Sequence, residues 1–120
     1  MQTSNFSQNG RNPKAVAISQ GVPPFYQGAR YEPLAPPWWL ISIKDPVEYR
    51  QKYEEAVLAK LDPAKVFKDL GEGSILLCWE KEPDGCHRRI VAEWLENALG
   101  VDIPELMPEP SPQMNLFERT

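Results

Sequence analysis

The sequence predicts an α/β fold, a small single domain with a short, parallel, open sheet, flanking helices and a flexible Pro-rich C-terminal tail. Two short apolar runs, Ala15-Val16-Ala17-Ile18 and Ser74-Ile75-Leu76-Leu77-Cys78-Trp79, are bounded by turn residues and lack alternation, as strands buried on both faces do. Helical patterns separate and follow them, which calls for crossovers and a parallel sheet. At 120 residues the chain can bury one modest core and no more.

Residues 1–12 carry no periodicity and many turn formers, so a flexible N-terminal arm is expected there. The domain then spans 13–106, and its first strand, Ala15 to Ile18, ends at Ser19-Gln20-Gly21. Residues 21–40 hold five prolines and five aromatics without a period; irregular segments of this length are usually functional or disordered, and the aromatics argue against disorder. They pack over an edge of the sheet or wall a pocket, and a third strand is expected within Trp39 to Ile43. Asp45-Pro46-Val47-Glu48 is a cap, a first-turn proline and a capping-box acid, predicting a helix to about Leu61 with Tyr53, Val57 and Leu61 as its stripe and Val47 broadening it. Asp62-Pro63 repeats the signal for a shorter helix that buries Val66, Phe67 and Leu70 and ends at Gly71. After the second strand, Ile90, Val91, Trp94, Leu95, Ala98 and Leu99 define one broad helical face, closed by Gly100. From Val101 onward alternating prolines predict an extended, mobile chain, and residues 107–120 form the tail.

Composition narrows the function. The formal charge of -4 disfavours sequence-independent binding to nucleic acid through bulk charge, although Lys81, Arg88 and Arg89, with Arg11 and Lys14, offer a local basic patch. No apolar run approaches the ~18 residues of a membrane span, and Met1 to Lys14 lacks the apolar stretch of a secretory signal. A cytoplasmic protein with Cys78 and Cys86 as free thiols is therefore expected.

The candidate site is the junction of the second strand with the last helix. Asp84 is an N-cap candidate that places Gly85, Cys86 and His87 in the first helical turn, where unpaired N–H groups and the helix dipole favour an anion. Gly85 and Arg88 are the anion-binding candidates, Arg88 through a bidentate contact. A thiol in that turn has a lowered pKa, so Cys86 is the nucleophile candidate, with Glu80 and His87 as proton carriers. Ser19, Gln20, Tyr31, Trp38, Trp39 and Cys78 are the expected pocket residues, the aromatics as surfaces on which a base stacks. No metal site is expected, because there is no C-x-x-C and no further Cys or His to complete a set of ligands. The P-loop, dinucleotide and H-E-x-x-H templates are missing. A cysteine-phosphatase loop fails as well, since Asp84 and Ala92 stand where its arginine is needed. Which cofactor, if any, the site takes is left open by the sequence.

The run Leu76-Leu77-Cys78-Trp79-Glu80-Lys81-Glu82-Pro83-Asp84-Gly85-Cys86-His87-Arg88-Arg89 resembles the signature of the family known as domain of unknown function 488, in which a strand ending in Cys and then Glu-Lys-x-Pro leads to Cys-His-Arg at a helix start. The resemblance extends over residues 14–106, with an aromatic loop that is short for the family. It implies an α/β domain with an active site at Cys78, Glu80, Cys86, His87 and Arg88, and no established reaction. In the tail, Gln113-Met114-Asn115-Leu116-Phe117 is similar to the pentapeptide by which bacterial replication and repair proteins dock on the β sliding clamp. Gln113 suits the pocket rim, while Met114, Leu116 and Phe117 suit an apolar cleft; the competing arrangement folds Leu116 and Phe117 back onto the domain. The resulting expectation is an enzyme acting on DNA or a nucleotide and tethered to the clamp through residues 113–117. The alternatives are a non-catalytic clamp-binding adaptor or inhibitor, and a thiol redox or metal-binding protein.

Overall fold

The structure, a computed structural model, describes residues 1–79 and 87–106. Four strands, β1 (Gln2–Asn5), β2 (Ala15–Ala17), β3 (Ala29–Arg30) and β4 (Ile75–Cys78), form an all-parallel sheet in the order β1-β4-β2-β3. Among the described residues five α-helices accompany it: α1 (Phe6–Asn9), α2 (Trp38–Ile41), α3 (Pro46–Ala56), α4 (Pro63–Leu70) and α5 (His87–Leu99). β4 is central and all four of its residues are buried. Alternate side chains serve opposite faces. Ile75 and Leu77 join Ala15, Ala17, Phe6 and Tyr26 on one side, while Leu76 joins Ile18, Tyr53, Val66, Val91 and Leu95 on the other. The helical side therefore carries α3, α4 and α5. No helix among the described residues is long and apolar enough to cross a membrane.

The expected flexible arm is instead β1 and α1. The buried residues of β1 are polar, so no apolar pattern marks them, yet each has a partner. Thr3 Oγ1 donates to Glu105 Oε1 (2.7 Å), Ser4 Oγ accepts from Asn9 Nδ2 (2.8 Å), and Asn5 Oδ1 caps α1 through Gln8 N (2.9 Å). Satisfied in this way, polar groups are tolerated inside a sheet. The strand expected within Trp39 to Ile43 is the short helix α2, started after Pro37. Thus β1 and β3 complete the sheet.

Asp45 and Asp62 cap α3 and α4 as their sequences indicate, accepting from Glu48 N and Ala64 N. α3 stops at Ala56, short of Leu61, and a 3₁₀ turn over Leu58–Lys60 follows it. That change of pitch buries Leu58, while Val47, expected on the inner face, is 74% exposed. Gly71 (φ 90°) and Gly100 (φ 69°) end α4 and α5 in the left-handed region that favours glycine. The segment after α5, expected to be mobile from Val101, is docked through Leu106. Ile103 is fully buried and Glu105 bridges Thr3 in parallel, outside β1.

Candidate functional site

At the carboxyl ends of β2 and β4 lies a cavity of about 740 Å³. Its position follows from the topology. β2 continues to β3 at one edge of the sheet, whereas β4 continues through α5 to Glu105 beyond β1 at the other. Adjacent strands whose continuations diverge leave a crevice between them, the usual ligand position in an open parallel sheet.

The cavity is lined by Ser19, Gln20 and Gly21 after β2, by Cys78 and Trp79 at the end of β4, and by His87 at the start of α5. Across from them stand Trp38 and Ile41 of α2, then Ile43 and Lys44, then Pro46 and Tyr49 of α3. The Gly21 carbonyl accepts from both Ser19 Oγ and the Trp79 indole N–H (2.9 Å), which joins the turn after β2 to the end of β4. Trp79 also meets Phe6 edge-on, with centroids 5.4 Å apart.

His87 is buried, and its Nε2 lies 2.7 Å from the Ile18 carbonyl oxygen. A carbonyl only accepts, so Nε2 carries a proton; in the neutral ring Nδ1 is then the acceptor. The imidazole packs at 5.5 Å against Tyr53, whose ring is stacked on Tyr49 at 6.2 Å. Burial raises the Tyr53 pKa well above its usual value, keeping the hydroxyl neutral as the donor to Leu34 O (2.6 Å).

Arg88 turns away from the cavity. Its side chain is fully buried and forks onto Glu105, Nε to Oε1 at 3.0 Å and Nη2 to Oε2 at 2.9 Å. The third nitrogen, Nη1, lies 3.1 Å from Cys78 Sγ. Arg89 Nη1 donates to Thr3 Oγ1 and the Ile103 carbonyl. These two arginines therefore hold the C-terminal segment against β1.

Of the residues singled out in the sequence, Ser19, Gln20, Trp38, Cys78 and His87 come together. Tyr31 instead donates to Asp69 (2.9 Å), and Trp39 lines a separate groove with Pro33, Val57 and Lys60. Glu80, Gly85 and Cys86, and in the tail Gln113, Met114, Leu116 and Phe117, lie outside the described residues. Cys78 is disulfide-bonded, which corrects the expectation of a free thiol there. Lys44, Tyr49 and Trp79 were not anticipated as lining residues; Trp79 alone had a local signal, as the last residue of the apolar run. Among the described residues no group of His, Cys, Asp or Glu is placed to hold a metal ion.

Residues 38–95 match the family described as Domain of unknown function DUF488. The DUF488 match runs from α2 to Leu95 of α5 and contains β4, Cys78, His87 and Arg88, but not β1, β2 or β3. The expected reach over residues 14–106 is thus wider than the matched span. Neither a curated protein nor a solved structure matches the chain. The family description carries no activity.

Proposed function

We propose that the protein is an enzyme acting on a nucleotide or on DNA, with its site in the β2–β4 cavity and with residues 113–117 docking on a sliding clamp. The observation that supports the reading most is the meeting of two indoles, a lysine and an imidazole at a topological switch point. Trp38 and Trp79 offer π-faces to a base, and Lys44 offers a cation to a phosphate. Ser19 and Gln20 supply hydrogen-bonding groups at the rim, and His87 moves or holds a proton at the ligand. Lys44 takes the anion-binding role in this reading, because the Arg88 fork is spent on Glu105. Cys86 as nucleophile and Glu80 as proton carrier remain part of the proposal, and the thiol role requires reduced protein.

Quenching of tryptophan emission in reduced full-length protein, titrated with nucleotides and short oligonucleotides, tests the cavity. Base stacking is worth about 1–3 kcal/mol, so Trp38→Ala should weaken binding roughly tenfold. Lys44→Ala should weaken it in a salt-dependent way. Absence of quenching by every nucleotide and oligonucleotide sinks the reading. For the tether, clamp affinity unchanged by Leu116→Ala with Phe117→Ala removes the tail from it.

The disulfide at Cys78 favours a second reading, thiol–disulfide chemistry in the same cavity. Reduction by a dithiol takes two electrons and two protons and leaves two thiols, with the Arg88 guanidinium beside Cys78 Sγ to stabilise a thiolate. Thiol titration before and after mild dithiol treatment decides it; a thiol count that such treatment leaves unchanged removes this reading.

A further inference from the structure

We infer that the turn after α1 and the turn before β3 form a second site, one that takes the phosphate group of a small molecule on the edge of the Arg11 guanidinium. Topology sets its place. β2 and β3 run parallel, so the residues that precede them, Asn12 and Pro13 in one case and Gln27 and Gly28 in the other, meet at the amino ends of the strands. A pocket of about 510 Å³ opens there, at the end of the sheet opposite the β2–β4 cavity. Both of its walls are tied down. Tyr26 Oη accepts from Ala17 N (3.1 Å) and donates to the Ala29 carbonyl, which holds the turn that carries Phe25 and Gln27. On the other side Gly10 lets the Phe25 ring close against the turn after α1, since a Cβ there would stand 2.7 Å from Phe25 Cε2.

The ligand class follows from the donors. Arg11 Cζ lies over the Phe25 ring, 4.9 Å from its centroid. A guanidinium that spends its face on an aromatic ring keeps the N–H groups of its edge for a ligand, and that fork matches two oxygens of an oxyanion. Among the described residues no carboxylate pairs with Arg11, and none lines the pocket. Asn12 adds a second donor. A backbone N–H only donates, so the Asn12 side chain accepts from Lys14 N (2.9 Å) through Oδ1, and its amide N–H₂ is left for another acceptor. Gln27 brings a third donor from the facing turn. Donors from two separate turns suit a phosphate, whose terminal oxygens point to different sides, better than a carboxylate, whose two oxygens share a plane. The pocket is larger than a bare ion needs, and Phe25, 41% exposed, offers apolar surface to the organic part of the ligand.

The site stands apart from the β2–β4 cavity and rests on no reading of it. Inorganic phosphate and phenyl phosphate are titrated into full-length protein and followed by NMR. The Arg11 Nε–H signal and the side-chain amide signals of Asn12 and Gln27 should shift together, with phenyl phosphate saturating first. The indole signals of Trp38 and Trp79, in the other cavity, should stay in place. Arg11→Lys keeps the charge and loses the fork, and should weaken binding about tenfold; because Arg11 is exposed, its unfolding midpoint should not move. No shift of the Arg11, Asn12 and Gln27 signals in a large excess of either phosphate overturns the inference. So does full affinity in Arg11→Lys, or a response confined to Trp38 and Trp79, which puts the ion in the other cavity. Benzoate binding as tightly as phenyl phosphate overturns the assignment to phosphate.

Discussion

Replacing Glu105 with glutamine tests whether charge holds the C-terminal segment to α5. The carboxylate accepts three bonds in a nearly dry setting: Oε1 takes Thr3 Oγ1 and Arg88 Nε, and Oε2 takes Arg88 Nη2, with side-chain exposures of 0% for Arg88 and 16% for Glu105. Glutamine has one oxygen. Set toward Nε and Thr3, it leaves its amide N–H₂ facing Nη2; reversed, it sets that amide against Nε and beside a Thr3 hydroxyl that already accepts from Arg89. Either way a donor meets a donor, and the guanidinium stays buried without its counter-charge.

Removing one partner of a buried pair costs about 3–5 kcal/mol. At least one of the three hydrogen bonds survives and the carboxylate site is partly wet, so the low end, ~3 kcal/mol, is expected for Glu105→Gln. For a domain of this size that lowers Tm by roughly 10 °C. Urea unfolding followed by circular dichroism measures the loss. The double variant Arg88→Met with Glu105→Leu should recover most of it, because no buried charge is left unpaired. A Glu105→Gln protein within ~0.5 kcal/mol of the original, or a double variant losing the sum of its singles, refutes the account of the segment as charge-clamped.

Three further outcomes follow from the described contacts. Tyr53→Phe removes the donor to the Leu34 carbonyl while keeping the ring, and should cost about 1–3 kcal/mol in urea unfolding; a neutral result means the bond contributes nothing net. Leu76→Ala empties a fully buried position on the central strand and should cost ~2–5 kcal/mol, whereas a loss under ~1 kcal/mol would mean that the core collapses to fill it. Burial and the bond to Asp69 push the Tyr31 pKa up from 10.0 to about 12. The neutral phenol is thus favoured in the folded state, so its contribution is complete below pH 10 and is lost as pH rises through 10 toward 12. Stability measured across that window should fall more steeply for the original protein than for Tyr31→Phe, and parallel curves would contradict the linkage.

What was legible in the chain was local. Asp45-Pro46, Asp62-Pro63, Gly71 and Gly100 set helix ends through groups within a few residues of one another, and α3, α4 and α5 begin or end where those signals stand. β1 was hidden because its stability comes from distant partners. Thr3 meets Glu105 and Arg89, contacts no window of sequence contains. β3 is two exposed residues long, below any periodic signal. In the cavity, the lining by Ser19, Gln20 and Cys78 followed from their places at strand ends. Lys44 and Tyr49 arrive from the turn into α3, a matter of packing rather than pattern.

Trp38 and Trp39, like His87 and Arg88, part company for one geometric reason. Successive residues of a helix point ~100° apart, so adjacent side chains cannot share a target. On α2 this sends Trp38 to the cavity and Trp39 to the separate groove. On α5 it sends His87 to the cavity and Ile18, Arg88 to Glu105 and Cys78, and Arg89 to Thr3 and Ile103. Three adjacent side chains thus divide into one that faces the cavity and two that fasten the segment after α5 to β1. Because Arg88 touches both Cys78, in the cavity wall, and Glu105, one guanidinium ties the site to the segment after α5.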